Sequence, residues 1–279
     1  MARELTAIDP LLTLVKARPF GLFSDIDGTL APIVANPEEA RVSPLCRTLL
    51  GQLIGQGVRV ALITGRTLER ARSMAGLDTA IYAANHGTSV WIDDHDETSE
   101  RVRGYISLAQ AVFEEIGNIP VTGVFVEATG PNLAIHYRQA VDADAARRAI
   151  LSAISASDSA AGFEVREGRK VYELRPALGI DKGTALKDLV RRLGVRACLC
   201  LGDDRTDIDM FEAVRRLHND GLRGVSIAVD SDEATPELMA SADYYVRGVR
   251  GVEWLLGEVL RALSDQAPSG LGTDARAKM

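Results

Sequence analysis

Short apolar runs alternate with stretches of helical spacing along most of the chain. The runs Phe20–Ser24, Val58–Thr64 and Ala80–Ala84 are predicted strands. Pro44–Gln56, closed by Gly57, and Leu68–Met74 are predicted helices. Strand–helix–strand alternation of this kind places parallel strands in one sheet, with helices crossing over its faces. The same alternation returns late in the chain. Helix Lys182–Leu193, strand Ala197–Leu201 and helix Thr206–Arg216 follow one another. Strands Val225–Val229 and Tyr244–Val246 and helix Val252–Leu263 complete it.

The middle of the chain breaks this rhythm. Val121–Glu127, Leu133–Arg138, Phe163–Arg166 and Val171–Arg175 have strand character, with helical stretches Leu108–Ile116 and Ala143–Ser155 among them. A separate α+β unit of roughly 75 residues is therefore expected inside an α/β core, a size at which small units fold alone. The expected division is a core of 1–103 and 179–264 and an insert of 104–178. The tail, 265–279, is rich in Ser, Gly, Asp, Ala and Lys and is expected to be disordered.

The 279 residues are 46% hydrophobic and 25% charged, ordinary for a globular protein. A net charge of −7 gives no general attraction to nucleic acid or an anionic membrane. Any phosphate site must therefore be locally positive. Cys46, Cys198 and Cys200 form neither a disulfide framework nor a zinc set, so buried free thiols are expected, which suits a reducing cytoplasm. Met1 to Pro19 shows no signal-peptide pattern, and no apolar run is long enough to span a bilayer. The oligomeric state is not set by the sequence; a monomer is the starting expectation.

Candidate chemistry sits where predicted strands end. Asp25-Ile26-Asp27-Gly28-Thr29 follows the first strand, at the rim where open α/β sheets bind ligands. Two acids this close repel unless a cation or a proton is shared, and Mg²⁺ prefers such oxygen ligands. The same residues also suit a plain turn. Gly202-Asp203-Asp204-Arg205-Thr206-Asp207 follows another strand and offers a further metal ligand, a helix cap, or both. Thr64-Gly65-Arg66 offers a hydroxyl and backbone N–H groups to a phosphate. Lys182, within Gly179-Ile180-Asp181-Lys182-Gly183, can neutralise a phosphate and an attacking carboxylate together. No Gly-x-Gly-x-x-Gly follows a predicted strand, which argues against a dinucleotide-binding enzyme.

The order Asp-x-Asp, Thr, Lys, Gly-Asp-Asp resembles the phosphatases of the haloacid dehalogenase superfamily over essentially the whole chain. The resemblance implies a Rossmann-like parallel core with an inserted α+β cap. It implies Asp25 as nucleophile, Asp27 as general acid and base, and Thr64 and Lys182 on the phosphoryl oxygens. Mg²⁺ is then held by Asp25, Asp203 and the carbonyl of Asp27, with Asp204 and Asp207 orienting metal-bound water and Lys182. Asn85-His86-Gly87, His136-Tyr137-Arg138 and the Glu167–Pro176 segment further resemble the trehalose-6-phosphate phosphatase family. That likeness implies a phosphorylated sugar as the small-molecule partner, contacted by Gly65, Arg66, His86, Gly87, Arg138, Arg169 and Glu173. Arg138, Arg169 and Glu173 equally suit surface ion pairs. Three positions depart from the family: Ser89 where an acid is usual, Ala128 and Thr129 where a Lys is usual, and Ile208 where a Glu is usual. They leave open another sugar phosphate, such as sucrose phosphate or a glycosyl-glycerate phosphate, or a silent sugar-binding protein.

Overall fold

The structure is a computed structural model that describes residues 2–34, 36–168, 170–231 and 234–265. Its strands are β1 (Arg3–Glu4), β2 (Phe20–Ser24), β3 (Arg59–Ile63), β4 (Ile81–Ala84), β5 (Ser89–Ile92), β6 (His95–Asp96), β7 (Phe125–Thr129), β8 (Asn132–His136), β9 (Phe163–Gly168), β10 (Val171–Pro176), β11 (Ala197–Gly202), β12 (Arg223–Asp230) and β13 (Tyr244–Arg247). The α-helices are α1 (Leu12–Val15), α2 (Pro44–Gly55), α3 (Leu68–Ala75), α4 (Glu100–Ile116), α5 (Ala143–Ala156), α6 (Lys182–Arg192), α7 (Ile208–Leu217), α8 (Pro236–Ser241) and α9 (Gly248–Ser264).

Nine strands form one sheet in the order β1-β13-β12-β11-β2-β3-β4-β5-β6. All neighbours from β1 to β4 pair in parallel, and only β5 and β6 are antiparallel. Every residue of β2 and β11 is buried, as expected of central parallel strands covered on both faces. One face packs Leu50 and Leu53 of α2 with Leu255 and Val259 of α9. The other packs Leu186 and Leu189 of α6 with Phe211 and Val214 of α7. The result is three layers, helix on sheet on helix. Local signals set the helix starts: Ser43 caps α2 ahead of Pro44, and Asp181 and Thr184 form a reciprocal capping box on α6.

The middle segment builds its own antiparallel sheet, β7-β8-β10-β9. Leu133, Ile135, Tyr172 and Leu174 point to α4 and α5 and form a separate core with Ala109, Val112, Ala146 and Ile150. The expected boundary at residue 103 falls inside α4, whose cap is Ser99. The first turns of α4 carry Arg101, Arg103 and Gly104, so apolar spacing signals the helix only from Leu108. The strand expected from Val121 starts at Phe125, because Gly123 takes a left-handed turn against the backbone of Gln139. The strand expected to end at Arg138 ends at His136. Of the expected tail, all but Asp265 lies outside the described residues.

All three cysteines are buried and free, and burial pushes the Cys46 and Cys198 thiols up to about 12. No helix among the described residues is long and apolar enough to cross a membrane.

Candidate active site

Strand order reverses at β2, since the chain passes next to β3 on one side and returns later to β11 on the other. Asp25 stands one residue past β2, Thr64 one past β3 and Asp203 one past β11, all at carboxyl ends, where such sheets bind ligands. Lys182, the first residue of α6, enters the same space.

These side chains meet. Lys182 Nζ lies 3.0 Å from Asp25 Oδ1 and 2.8 Å from Asp207 Oδ1. The other Asp207 oxygen accepts the N–H groups of Asp203 and Asp204, at 2.9 and 3.0 Å. Thr29 Oγ1 donates to Asp203 Oδ1 at 3.0 Å. Asp204 caps the turn that follows, accepting from the Thr206 N–H and hydroxyl. Asp25, Asp203, Asp207, Lys182 and Thr64 are all buried. Gly28 admits this packing: a Cβ there would fall 1.8 Å from Asp203 Oδ2.

Charge is unbalanced in this pocket. Three carboxylates face one ammonium, and ligand atoms of Asp25, Asp203 and Asp207 lie within 4.8 Å of one another. Burial and mutual repulsion push Asp203 up to about 8 and Asp207 up to about 6, and raise Asp25 well above its usual range. Burial opposes the charge of Lys182, but Asp207 and Asp25 outweigh it and hold the ammonium well above its ordinary value. An all-oxygen donor set with surplus negative charge fits a hard divalent cation. Both Asp207 oxygens are already engaged, which leaves Asp25 and Asp203 as the freer donors.

Asp27 stands apart from the cluster. Both its oxygens accept from Arg66, Nε to Oδ2 and Nη2 to Oδ1, each at 2.9 Å. Arg66, expected on the substrate, is thus seated on the acid–base candidate. The Thr64 hydroxyl accepts the N–H of Arg66. Gly65 lies flat against His86, where a Cβ would come 2.7 Å from the ring. His86 and Asn85 both take left-handed backbone angles, held by Thr64 O and Arg66 O, each 2.8 Å away. Burial, then the cations Arg175, Lys182 and Arg166, lower the His86 pKa well below its usual value, so the ring is neutral. Gly87 packs against Ala185 of α6.

The cap turns one sheet face toward these loops. Since Leu133, Ile135, Tyr172 and Leu174 face the cap helices, strand alternation sends Asn132, His136, Glu173 and Arg175 the other way. Gly130, at the β7–β8 turn, abuts the Asn85 amide. Glu173 pairs with Arg175, whose Nε donates to it at 2.9 Å. Arg138 lies on an exposed turn past β8 and is not among the side chains that meet the acids. Arg169 lies outside the described residues. The departures from the family pattern also find places. Ser89 Oγ accepts from the Asn85 amide at 3.0 Å, Ile208 packs on the α6–α7 core, and of Ala128 and Thr129 only Thr129 shares the open face.

Residues missing from the expected set include Thr29, Arg175 and Asn132. Thr29 and Arg175 lie inside the very segments singled out by motif, but their partners, Asp203 and Glu173, are set by tertiary and strand geometry. Asn132 is buried with an unpartnered Oδ1, and nothing in the local sequence marks it.

A parallel core carrying acids and a lysine at its rim, crowned by an inserted antiparallel cap, is the architecture of haloacid dehalogenase-type phosphatases. Comparison narrows the class. A family model described as trehalose-phosphatase matches residues 23–249. The trehalose-phosphate phosphatase of Mycobacterium avium is 35% identical over 237 residues, covering 78% of this chain and 58% of that protein. An uncharacterized glycosyl hydrolase of Mycobacterium tuberculosis is 33% identical over 239 residues, covering 82% of this chain and 17% of that protein. The structure of Aspergillus fumigatus trehalose-6-phosphate phosphatase superposes with a TM-score of 0.66 at 26% identity, over 94% of this chain and 100% of that one. The chain belongs to the trehalose-phosphatase family. It spans less than two thirds of the length of these curated relatives.

Proposed function

We propose that this chain hydrolyses trehalose 6-phosphate to trehalose and inorganic phosphate through a covalent phosphate on Asp25. One observation carries the reading: the buried Asp25 carboxylate lies 3.0 Å from the Lys182 ammonium, with Asp203 close enough to share a cation. An Asp25 oxygen attacks phosphorus in line as the bond to the sugar oxygen breaks. Asp27, released from Arg66, gives its proton to that oxygen. It then takes a proton from the water that splits the aspartyl phosphate, restoring Asp25. Thr64, Lys182 and the N–H group of Gly65 hold the phosphoryl oxygens, where transition-state charge spreads.

Mg²⁺ is the proposed cation, held by Asp25, Asp203 and the main-chain carbonyl of Asp27. When bound it supplies Lewis-acid polarisation of the phosphoryl group and screens the approach of one anion to another. Asp204 and Asp207 orient its waters and Lys182. The unit 104–178 is the specificity cap, and His86, Gly87, Arg138, Arg169 and Glu173 contact the sugar. The cytoplasm is the proposed location, given three buried free thiols.

A second sugar phosphate is favoured by one observation: Thr129 occupies the open cap face in the segment where the family usually carries a Lys. Phosphate release across a panel of phosphorylated sugars, compared by kcat/KM, tests both readings. Trehalose 6-phosphate is expected to lead the panel; a lead by sucrose phosphate or a glycosyl-glycerate phosphate would transfer the assignment. Turnover that survives EDTA would remove the metal.

A further inference from the structure

The two sheets have four edges between them. An open edge is a row of unpaired main-chain N–H and C=O groups that can template another strand, and proteins blunt it with shortness or charge. Three of the edges follow that rule. β1 and β6, at the ends of the core sheet, are two residues each. β9, at one end of the cap sheet, carries Glu164 and Arg166 in one ion pair and Glu167 in another, with Arg147. The fourth edge, β7, is five residues long, Phe-Val-Glu-Ala-Thr, with one charge and no proline. Among the described residues, nothing pairs with its outer side. Its Ala128 lies in the segment where the family usually carries a Lys.

A groove runs beside this edge. Strand alternation turns Val126 and Ala128 to the helix side of the sheet, together with Ile135 and Leu133. Ile106, Gln110 and Ala111 of α4, with Ala128 and Gly130, line an open groove there of about 550 Å³. Ile106 is 46% exposed and gives it an apolar wall. The charge along the edge is negative. Glu114 also lines the groove; it accepts from the Gln110 amide at 3.1 Å and, among the described residues, joins no ion pair. Glu127 stands on the other face of β7, beside His136.

We infer that the β7 edge and the β7–α4 groove receive an extended segment of another polypeptide, added as a fifth strand to the cap sheet, with small apolar side chains toward Ile106 and Ala128 and basic side chains toward Glu114 and Glu127. Main-chain hydrogen bonds to β7 supply affinity, and the groove and the two carboxylates supply selectivity. A second copy of this chain is the poorer occupant. Two β7 strands paired antiparallel and centred set Glu127 directly against Glu127, a destabilising contact between like charges.

The test uses the full chain and a capped, fluorescein-labelled heptapeptide that alternates arginine with valine, read by anisotropy. One control peptide alternates glutamate with valine. The other keeps the arginine–valine sequence but carries N-methyl groups in place of its amide hydrogens. The arginine–valine peptide is expected to bind saturably. Each control should bind at least about tenfold more weakly, since the first repels Glu114 and Glu127 and the second cannot donate to β7. Ala128→Lys, which guards the edge, and Ile106→Gln, which strips the groove wall, should each weaken binding about tenfold at the parental melting temperature. Absence of binding at millimolar peptide, equal binding of either control, or binding untouched by both variants would overturn the inference. So would dimerisation of the chain in sedimentation that Ala128→Lys abolishes, which would assign the edge to a second copy. Phosphate release is not among the readouts, so the phosphatase reading stands or falls separately.

Discussion

Asp207→Asn asks whether Asp207 acts by holding other groups in place. The wild-type carboxylate is fully buried and accepts at both ends: Lys182 Nζ at 2.8 Å on one oxygen, and the N–H groups of Asp203 and Asp204 at 2.9 and 3.0 Å on the other. An amide keeps the shape and only one acceptor. Turned one way, its NH₂ faces the Lys182 ammonium. Turned the other, it faces two backbone donors that then have no acceptor. An unsatisfied buried donor costs about 1–3 kcal/mol, and losing one partner of a buried ion pair about 3–5 kcal/mol. Removing one negative charge from an over-charged pocket offsets part of this. The net loss should be about 2–4 kcal/mol, which lowers Tm by roughly 5–15 °C for a chain of this size. Lys182 loses its second anchor, and misplacement of such a group costs about 10²-fold in rate. Calorimetry with and without Mg²⁺, beside steady-state phosphate release, reads both effects. Asp209→Asn is the control: it removes an equal charge two residues on, outside the cluster, and should shift stability by less than about 1 kcal/mol. An Asp207→Asn protein that melts with the parent and keeps its turnover would refute the holding role.

Asp25→Asn should keep the fold by circular dichroism and lose turnover by at least about 10³-fold, with no phosphate trapped on the chain after acid quench. Metal-free protein should lose stability as pH rises from 4 to 8. Asp203 and Asp207 are pushed from the ordinary 3.8 up to about 8 and about 6, so each takes up a proton on folding. Their contribution is complete below pH 4 and is lost through those folded values, at up to about 1.4 kcal/mol per pH unit for each proton. Melts in EDTA at pH 5 and pH 8 check the sign, and Mg²⁺ should flatten the trend. Leu174→Ala empties a fully buried place in the cap core and should cost about 2–5 kcal/mol, read by denaturant melting.

The core was readable in the sequence because its physics is local. β2 and β11 are buried along their whole length, so both appear as apolar runs, and the acids follow within one residue of each strand's end. The capping box on α6 was equally visible, and it delivers Lys182 to the cluster. The β5–β6 hairpin was missed. Its turn is Asp93-Asp94, both left-handed, where Asn-Gly or Asp-Gly is the usual signal. The pairing of Arg66 with Asp27 was also hidden, since neither residue's neighbours specify the meeting of the β2 and β3 loops.

That pairing bears on how the site works. Arg66 occupies both oxygens of Asp27, and its backbone carbonyl accepts from Asn85, whose amide abuts the cap turn at Gly130. Asn85 and His86 pay for this junction in left-handed backbone strain, of order 1–3 kcal/mol for each such residue. The strain is held by hydrogen bonds to the β3 loop, the same loop that presents Thr64. The cap turn at Gly130, Asn85, Arg66 and the acid–base candidate Asp27 therefore lie next to one another in succession. The cap turn and the β3 loop share one set of backbone constraints, so a substitution at Gly130 or Asn85 should register at Asp27 although neither residue touches it.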